Sequence, residues 1–156
     1  ALRSHSTPIP AELELTAAPA IATIVERARD RRLVILNEAH NISGHRAFAE
    51  DVLRALRPLG FNVFAAETFN WQTDWGSPVQ SISAGAPFLH QHGYYSRDPV
   101  YAETVRAALE LGYRLAGYEI SRAQSLLADD ASWQDRINER EEAQARNLIA
   151  NVLQAD

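Results

Sequence analysis

The chain has 156 residues, 46% hydrophobic and 22% charged, which suffices for one globular domain and is marginal for two. Its net charge is -5 and no basic block stands out, so nucleic-acid binding has little electrostatic support. Absence of cysteine excludes disulfides, thiolate metal sites and cysteine nucleophiles, and no apolar run approaches the roughly 20 residues that span a bilayer.

Residues 1–18 include Pro8 and Pro10, show little periodicity, and are expected to form an extended arm ahead of a single α/β domain over 19–156. A first helix is expected over 19–31, with Pro19 at its first position and Ile21, Ile24, Val25 and Ala28 on one stripe. The continuous apolar run Leu33-Val34-Ile35-Leu36 reads as a strand buried on both faces. A helix over 43–57 follows, with Ala49, Val52, Leu53 and Leu56 inward and Pro58 and Gly60 ending it. Residues 61–66 (FNVFAA) form the second expected strand.

The segment 68–97 is irregular and long for a compact domain. It holds six of the 13 aromatics (Phe69, Trp71, Trp75, Phe88, Tyr94 and Tyr95), either as a lid or wall for an apolar substrate or as a satellite core. Asp98 and Pro99 suit the N-cap and first turn of a helix with Tyr101, Val105, Ala108 and Leu109 inward and Gly112 as its stop. Residues 113–118 (YRLAGY) give the third strand. Ser132-Trp133-Gln134-Asp135 resembles a capping box. It opens a helix that reaches almost to Asp156, whose stripe Trp133, Ile137, Ala145, Leu148 and Val152 is interrupted by Arg140 and Glu141.

This order predicts a three-layer α/β fold with a mainly parallel sheet, helices on its faces and right-handed crossovers. With three strands the sheet is incomplete at its C-terminal end, as in the N-terminal part of a larger domain. The open edge invites self-association or completion by a further C-terminal segment.

The strand ends carry the chemistry. LVILNEAH, NVFAAET and RLAGYEI each stop at a glutamate: Glu38, Glu67 and Glu119. In a parallel sheet these ends share one edge, where such sheets bind ligands, with the carboxylates within about 5–10 Å of each other. Carboxylates so close need a metal, a proton or cationic partners. His40, two residues after Glu38, completes a set suited to zinc, manganese or iron, or to general acid–base work. His45 and Arg46 open the next helix near this edge, Arg46 as a holder of a carboxylate or of developing negative charge. Arg97, Arg140, Glu141, Trp71 and Tyr94 are candidates for a substrate-facing or supporting shell. His90 and His92 alternate as a metal-gripping pair would, although a loop pair without a third ligand reads as surface.

NEAHNISGHRAFAEDVLRALRPLGFNVFAAE resembles the first motif block of the erythromycin-esterase-like, ChaN-like and Tiki superfamily: a Glu-x-His after the first strand, an early helical arginine, and a strand closing on glutamate. YYSRDPVYAETVRAALELGYRLAGYE and NEREEAQARNLIANVL resemble later blocks of its esterase-like branch. Asn37 stands where the family usually has glycine, and Gln144 where methionine is frequent. The resemblance implies catalytic roles for Glu38, His40 and Glu67, and for Arg46 as the motif arginine, with Arg140 and Glu141 on the later helix. It also implies a further strand and a second histidine motif beyond that helix.

The expected function is therefore hydrolysis of a small-molecule ester, lactone or amide. The Tiki branch implies a divalent metal, for which Glu38, His40 and Glu67 would be the ligands. The alternative is a metal- or haem-binding protein of the ChaN-like kind without hydrolysis, with His40, His45, Tyr94 or Tyr95 as axial ligand. Neither a membrane span nor a nucleic-acid partner is expected, and the cytoplasm is preferred over the periplasm.

Overall fold

The computed structural model describes residues 18–72 and 78–154. The expected N-terminal arm, apart from Ala18, lies outside the described residues, as does Trp75. In chain order the elements are α1 (Ala20–Ala28), α2 (Ser43–Leu56), β1 (Val63–Ala66), α3 (Pro99–Glu110), β2 (Arg114–Gly117) and α4 (Trp133–Leu148). Short 3-10 turns join them, and a π turn over Ile149–Leu153 follows α4. The fold is mixed α/β. Among the described residues no helix is long and apolar enough to cross a membrane.

The sheet has two strands, β1 and β2, parallel and in a register that pairs Ala66 with Gly117. The first of the three expected strands is a correction. Residues 33–36 form no strand, and Leu33, Ile35 and Leu36 are exposed. An apolar run records a tendency to be buried, but a strand also needs a ladder partner. No described residue forms a hydrogen bond with the backbone of residues 33–37, and a cavity separates the run from β1.

The core lies between α2, α3 and the sheet. Val105, Ala108 and Leu109 of α3 pack with Leu53 of α2, Leu115 of β2 and Tyr113. Tyr113 adds a hydrogen bond from its hydroxyl to the Leu53 carbonyl at 2.7 Å. A second cluster joins Ala28 of α1 to Val52 and Leu56, with Val34 packed against it. The helix ends follow local chemistry. Asp98 accepts from the N–H groups of Val100 and Tyr101, and Gly112 closes the far end of α3 with φ +79.

The aromatic segment is core at one end and surface at the other. Phe69, Val79 and Phe88 are buried in the main cluster, while Tyr94 is exposed. Gly117 lets this segment approach: a Cβ there would meet the Phe69 carbonyl oxygen at 2.4 Å and Trp71 Cδ1 at 2.7 Å. The face of α4 also differs from its expected stripe. Trp133 and Ala145 are exposed, and the helix turns Ala143 and Asn147 inward. Its contacts with the strand ends are polar: Asn147 Nδ2 donates to the carbonyls of Tyr118 and Glu119, and Asn151, in the π turn, donates to that of Gly117.

Gly117→Ala is expected to cost about 1–3 kcal/mol, because the added methyl must displace backbone as well as the indole. Urea denaturation monitored by tryptophan fluorescence measures this. Wild-type stability in the variant would mean that Trp71 does not pack on β2.

Candidate functional site

Glu67 follows β1 directly and Glu119 lies two residues beyond β2, so the parallel register delivers both carboxylates to one edge. Arg140 of α4 holds the two together. Its Nε donates to both carboxylate oxygens of Glu119, at 3.0 and 2.9 Å, and its Nη2 donates to Glu67 at 2.8 Å and again to Glu119. One turn further along, Gln144 donates to Glu119 at 3.1 Å.

Glu38 has a different holder. Arg46, in the first turn of α2, is 2% exposed and donates from all three nitrogens. Nε reaches Glu38 at 2.8 Å, Nη1 reaches Asp98, and Nη2 reaches the His40 carbonyl at 3.1 Å. Its guanidinium carbon lies 4.8 Å from the Tyr95 ring centre and 5.3 Å from that of Tyr101. Burial works against this cation, but Glu38 and Asp98 outweigh it and raise the Arg46 pKa above its ordinary value.

His40 joins the two halves. Its Nδ1 lies 3.1 Å from Glu38 and its Nε2 lies 3.3 Å from Glu67, with the ring centre 4.7 Å from that of Tyr95. A neutral imidazole has one N–H, so it donates to one carboxylate and turns a lone pair towards the other, whereas the imidazolium donates to both. The network therefore runs Asp98, Arg46, Glu38, His40, Glu67, Arg140, Glu119. Four carboxylates face two guanidiniums, a formal excess of two negative charges around His40.

The donor set does not fit a metal held by Glu38, His40 and Glu67. Each carboxylate already accepts from an arginine, and both nitrogens of His40 face carboxylates. Among the described residues no group of three or more histidine or acidic side chains is placed to hold a metal ion.

The remaining candidates separate. Trp71 donates from its indole N–H to the Glu119 carbonyl at 2.9 Å, beside the site. Tyr94 is exposed and makes an edge contact with Tyr95 at 5.0 Å. Arg97 and Glu141 are exposed and not brought to the network. His45 accepts the Ala39 N–H at 3.1 Å, which shapes the turn before α2. His90 and His92 lie on a 3-10 turn. His92 is buried, stacks on Phe88 at 5.7 Å and accepts the Leu89 N–H; burial, with His90 nearby, lowers its pKa.

Two hollows meet at the network. One of about 1000 Å³ is bounded by residues 33–37 and β1, with Val52 and Leu56 of α2 and Leu148 and Val152 also on its walls; Glu38, His40 and Glu67 line its strand-end side. The other, about 410 Å³, is lined by Trp71, Tyr94, Glu119 and Ser121, and shares Glu67 and Tyr95 with the first. No protein-family model, curated protein or solved structure matches the chain.

Asp98 was legible in the sequence as a helix cap but not as the second partner of Arg46. Burial alone would raise its carboxyl, but the N–H groups of Tyr101 and Val100, together with Arg46, hold it below its ordinary value. Its ionised form therefore adds stability that is fully present above the unfolded value of about 3.9 and is lost as pH falls through the folded value. Asp98→Asn retains a capping oxygen and removes the charge. The stability gap between wild type and D98N is expected to be full at neutral pH and to close as pH falls below about 4. Asp98→Ala, which also lacks the cap, is expected about 1 kcal/mol below D98N. Urea denaturation between pH 7 and pH 3 reads both, and a gap that does not change with pH would rule out the ion pair as its source.

Proposed function

We propose that the chain is a hydrolase of the erythromycin-esterase-like kind on a three-layer α/β scaffold, cleaving a small-molecule ester, lactone or amide with His40 as general base. One observation carries the reading: His40 is held between two arginine-anchored carboxylates beside a cavity of about 1000 Å³ with apolar walls.

In this reading Arg46 fixes Glu38, and Glu38 accepts the Nδ1–H of His40. In that tautomer the Nε2 lone pair, on the side of Glu67, takes a proton from water. Glu67, 3.3 Å from Nε2, stabilises the imidazolium as it forms. The hydroxide adds to the substrate carbonyl, the bond to the leaving oxygen or nitrogen breaks, and the imidazolium returns its proton to that leaving group. The acyl part occupies the larger hollow, and the leaving part lies towards Trp71 and Tyr94 in the smaller one.

The two arginines act on the carboxylates rather than on the substrate. Arg46 is buried with every nitrogen engaged, and Arg140 spans Glu67 and Glu119, so both are positioning residues here. The exposed Tyr94 and the carboxylate-flanked His40 give no comparable support to an axial haem ligand.

With p-nitrophenyl butyrate and octanoate as probes, His40→Ala is expected to lower kcat/KM by about 10²- to 10⁴-fold, the usual contribution of a general base. The folded fraction, checked by circular dichroism, should be unchanged. Turnover by H40A at the wild-type rate, or none by the wild type on either ester, would reject this assignment.

A further inference from the structure

The reaction proposed above develops negative charge on a carbonyl oxygen, while Arg46 has all three nitrogens engaged and Arg140 commits Nε and Nη2 to Glu67 and Glu119. One buried donor next to the network is unused. Tyr101, on the first turn of α3, is 4% exposed, and its hydroxyl has no hydrogen-bond partner among the described residues. A buried hydroxyl without a partner costs about 1–3 kcal/mol, so its retention needs a reason.

Its surroundings place the residue beside the network. The ring rests on Phe69 and Phe88, with centres 6.0 and 6.3 Å away, and Arg46 lies over it. Tyr101 lines the same cavity as Glu38, His40 and Glu67. Asp98, one of the partners of Arg46, caps α3 by accepting the Tyr101 N–H. The guanidinium that positions His40 through Glu38 therefore also fixes the turn that carries Tyr101.

We propose that the Tyr101 hydroxyl is the hydrogen-bond donor for the carbonyl oxygen of an acyl ligand whose apolar chain lies in the larger hollow. The identity of that oxygen as the reacting one rests on the hydrolase reading; binding of a carbonyl does not. Burial, with the Glu38 carboxylate close by, raises the phenol well above its ordinary range, so the group stays a neutral donor. A neutral donor suits this place. A further cation would compete with Arg46 and Arg140 for the carboxylates, whereas a phenol leaves that arrangement intact.

The test uses decan-2-one, a ketone that binds as an acyl chain does but has no leaving group. Calorimetry is expected to show binding to the wild type and about tenfold weaker binding to Tyr101→Phe, the loss of one hydrogen bond at 1.4 kcal/mol per decade. Y101F should be at least as stable as the wild type, because it removes an unpartnered hydroxyl and keeps the ring. Independently of any variant, infrared spectroscopy of bound [2-13C]decan-2-one should show the carbonyl stretch moved to lower frequency in the wild type and in H40A. Equal affinities for wild type and Y101F, an unshifted carbonyl, or no binding to the wild type would each overturn the proposal. A shifted carbonyl without ester turnover would leave Tyr101 as a binding donor and reject the hydrolase reading alone; turnover with an unshifted carbonyl would do the reverse.

Discussion

The arrangement depends on one buried cation. Arg46 is 2% exposed and ties together the loop that carries Glu38 and His40, the N-terminus of α3, and the rings of Tyr95 and Tyr101. Burying a guanidinium is unfavourable unless acceptors surround it, and losing one partner of such a group typically costs about 3–5 kcal/mol. The acceptors cannot relax independently. Asp98 is already committed to capping α3, Glu38 to His40, and the His40 carbonyl belongs to the residue whose ring the site presents. Thr104 closes the frame from α3 by donating to the Arg46 carbonyl at 3.1 Å.

Clustered carboxylates set the second constraint. A parallel register puts Glu67 and Glu119 on one edge whether or not their charges are met. Alternation solves the problem: each carboxylate of the network has a guanidinium neighbour, and His40 occupies the point where the two arginine-held groups meet. The remaining negative excess lies on either side of one imidazole.

What the sequence revealed divides along physical lines. Helix positions were legible because caps and 3.6-residue stripes are local: Asp98, Gly112 and the Val105, Ala108, Leu109 face lie where the pattern put them. The glutamates at 67 and 119 were legible because an apolar run ending in a charge marks a strand leaving the core, and Arg140 was legible as a charge on an otherwise inward face. The run at 33–36 was misleading because hydrophobicity does not specify a ladder partner. The α4 face was misread because its attachment to the strand ends uses amides, through Asn147, Asn151 and Gln144, which an apolar stripe does not register. The pairing of Arg46 with Asp98 spans 52 positions, and no local pattern encodes it.

These points meet at the loop that carries Glu38 and His40. In an open parallel sheet a residue at a strand end is placed by the ladder behind it. Here residues 33–37 have no ladder, yet Glu38 and His40 still stand opposite Glu67. Their placement comes from the far side, through the Arg46 bonds to the Glu38 side chain and to the His40 main chain. An arginine on a helix thus substitutes for strand pairing. The two kinds of support differ in one respect that matters for a site. A ladder fixes backbone and leaves side chains to find their own rotamers, whereas this clamp holds one carboxylate by its oxygen and the next-but-one residue by its carbonyl. It therefore fixes the carboxylate beside His40 Nδ1 and the backbone that carries the ring in a single set of bonds.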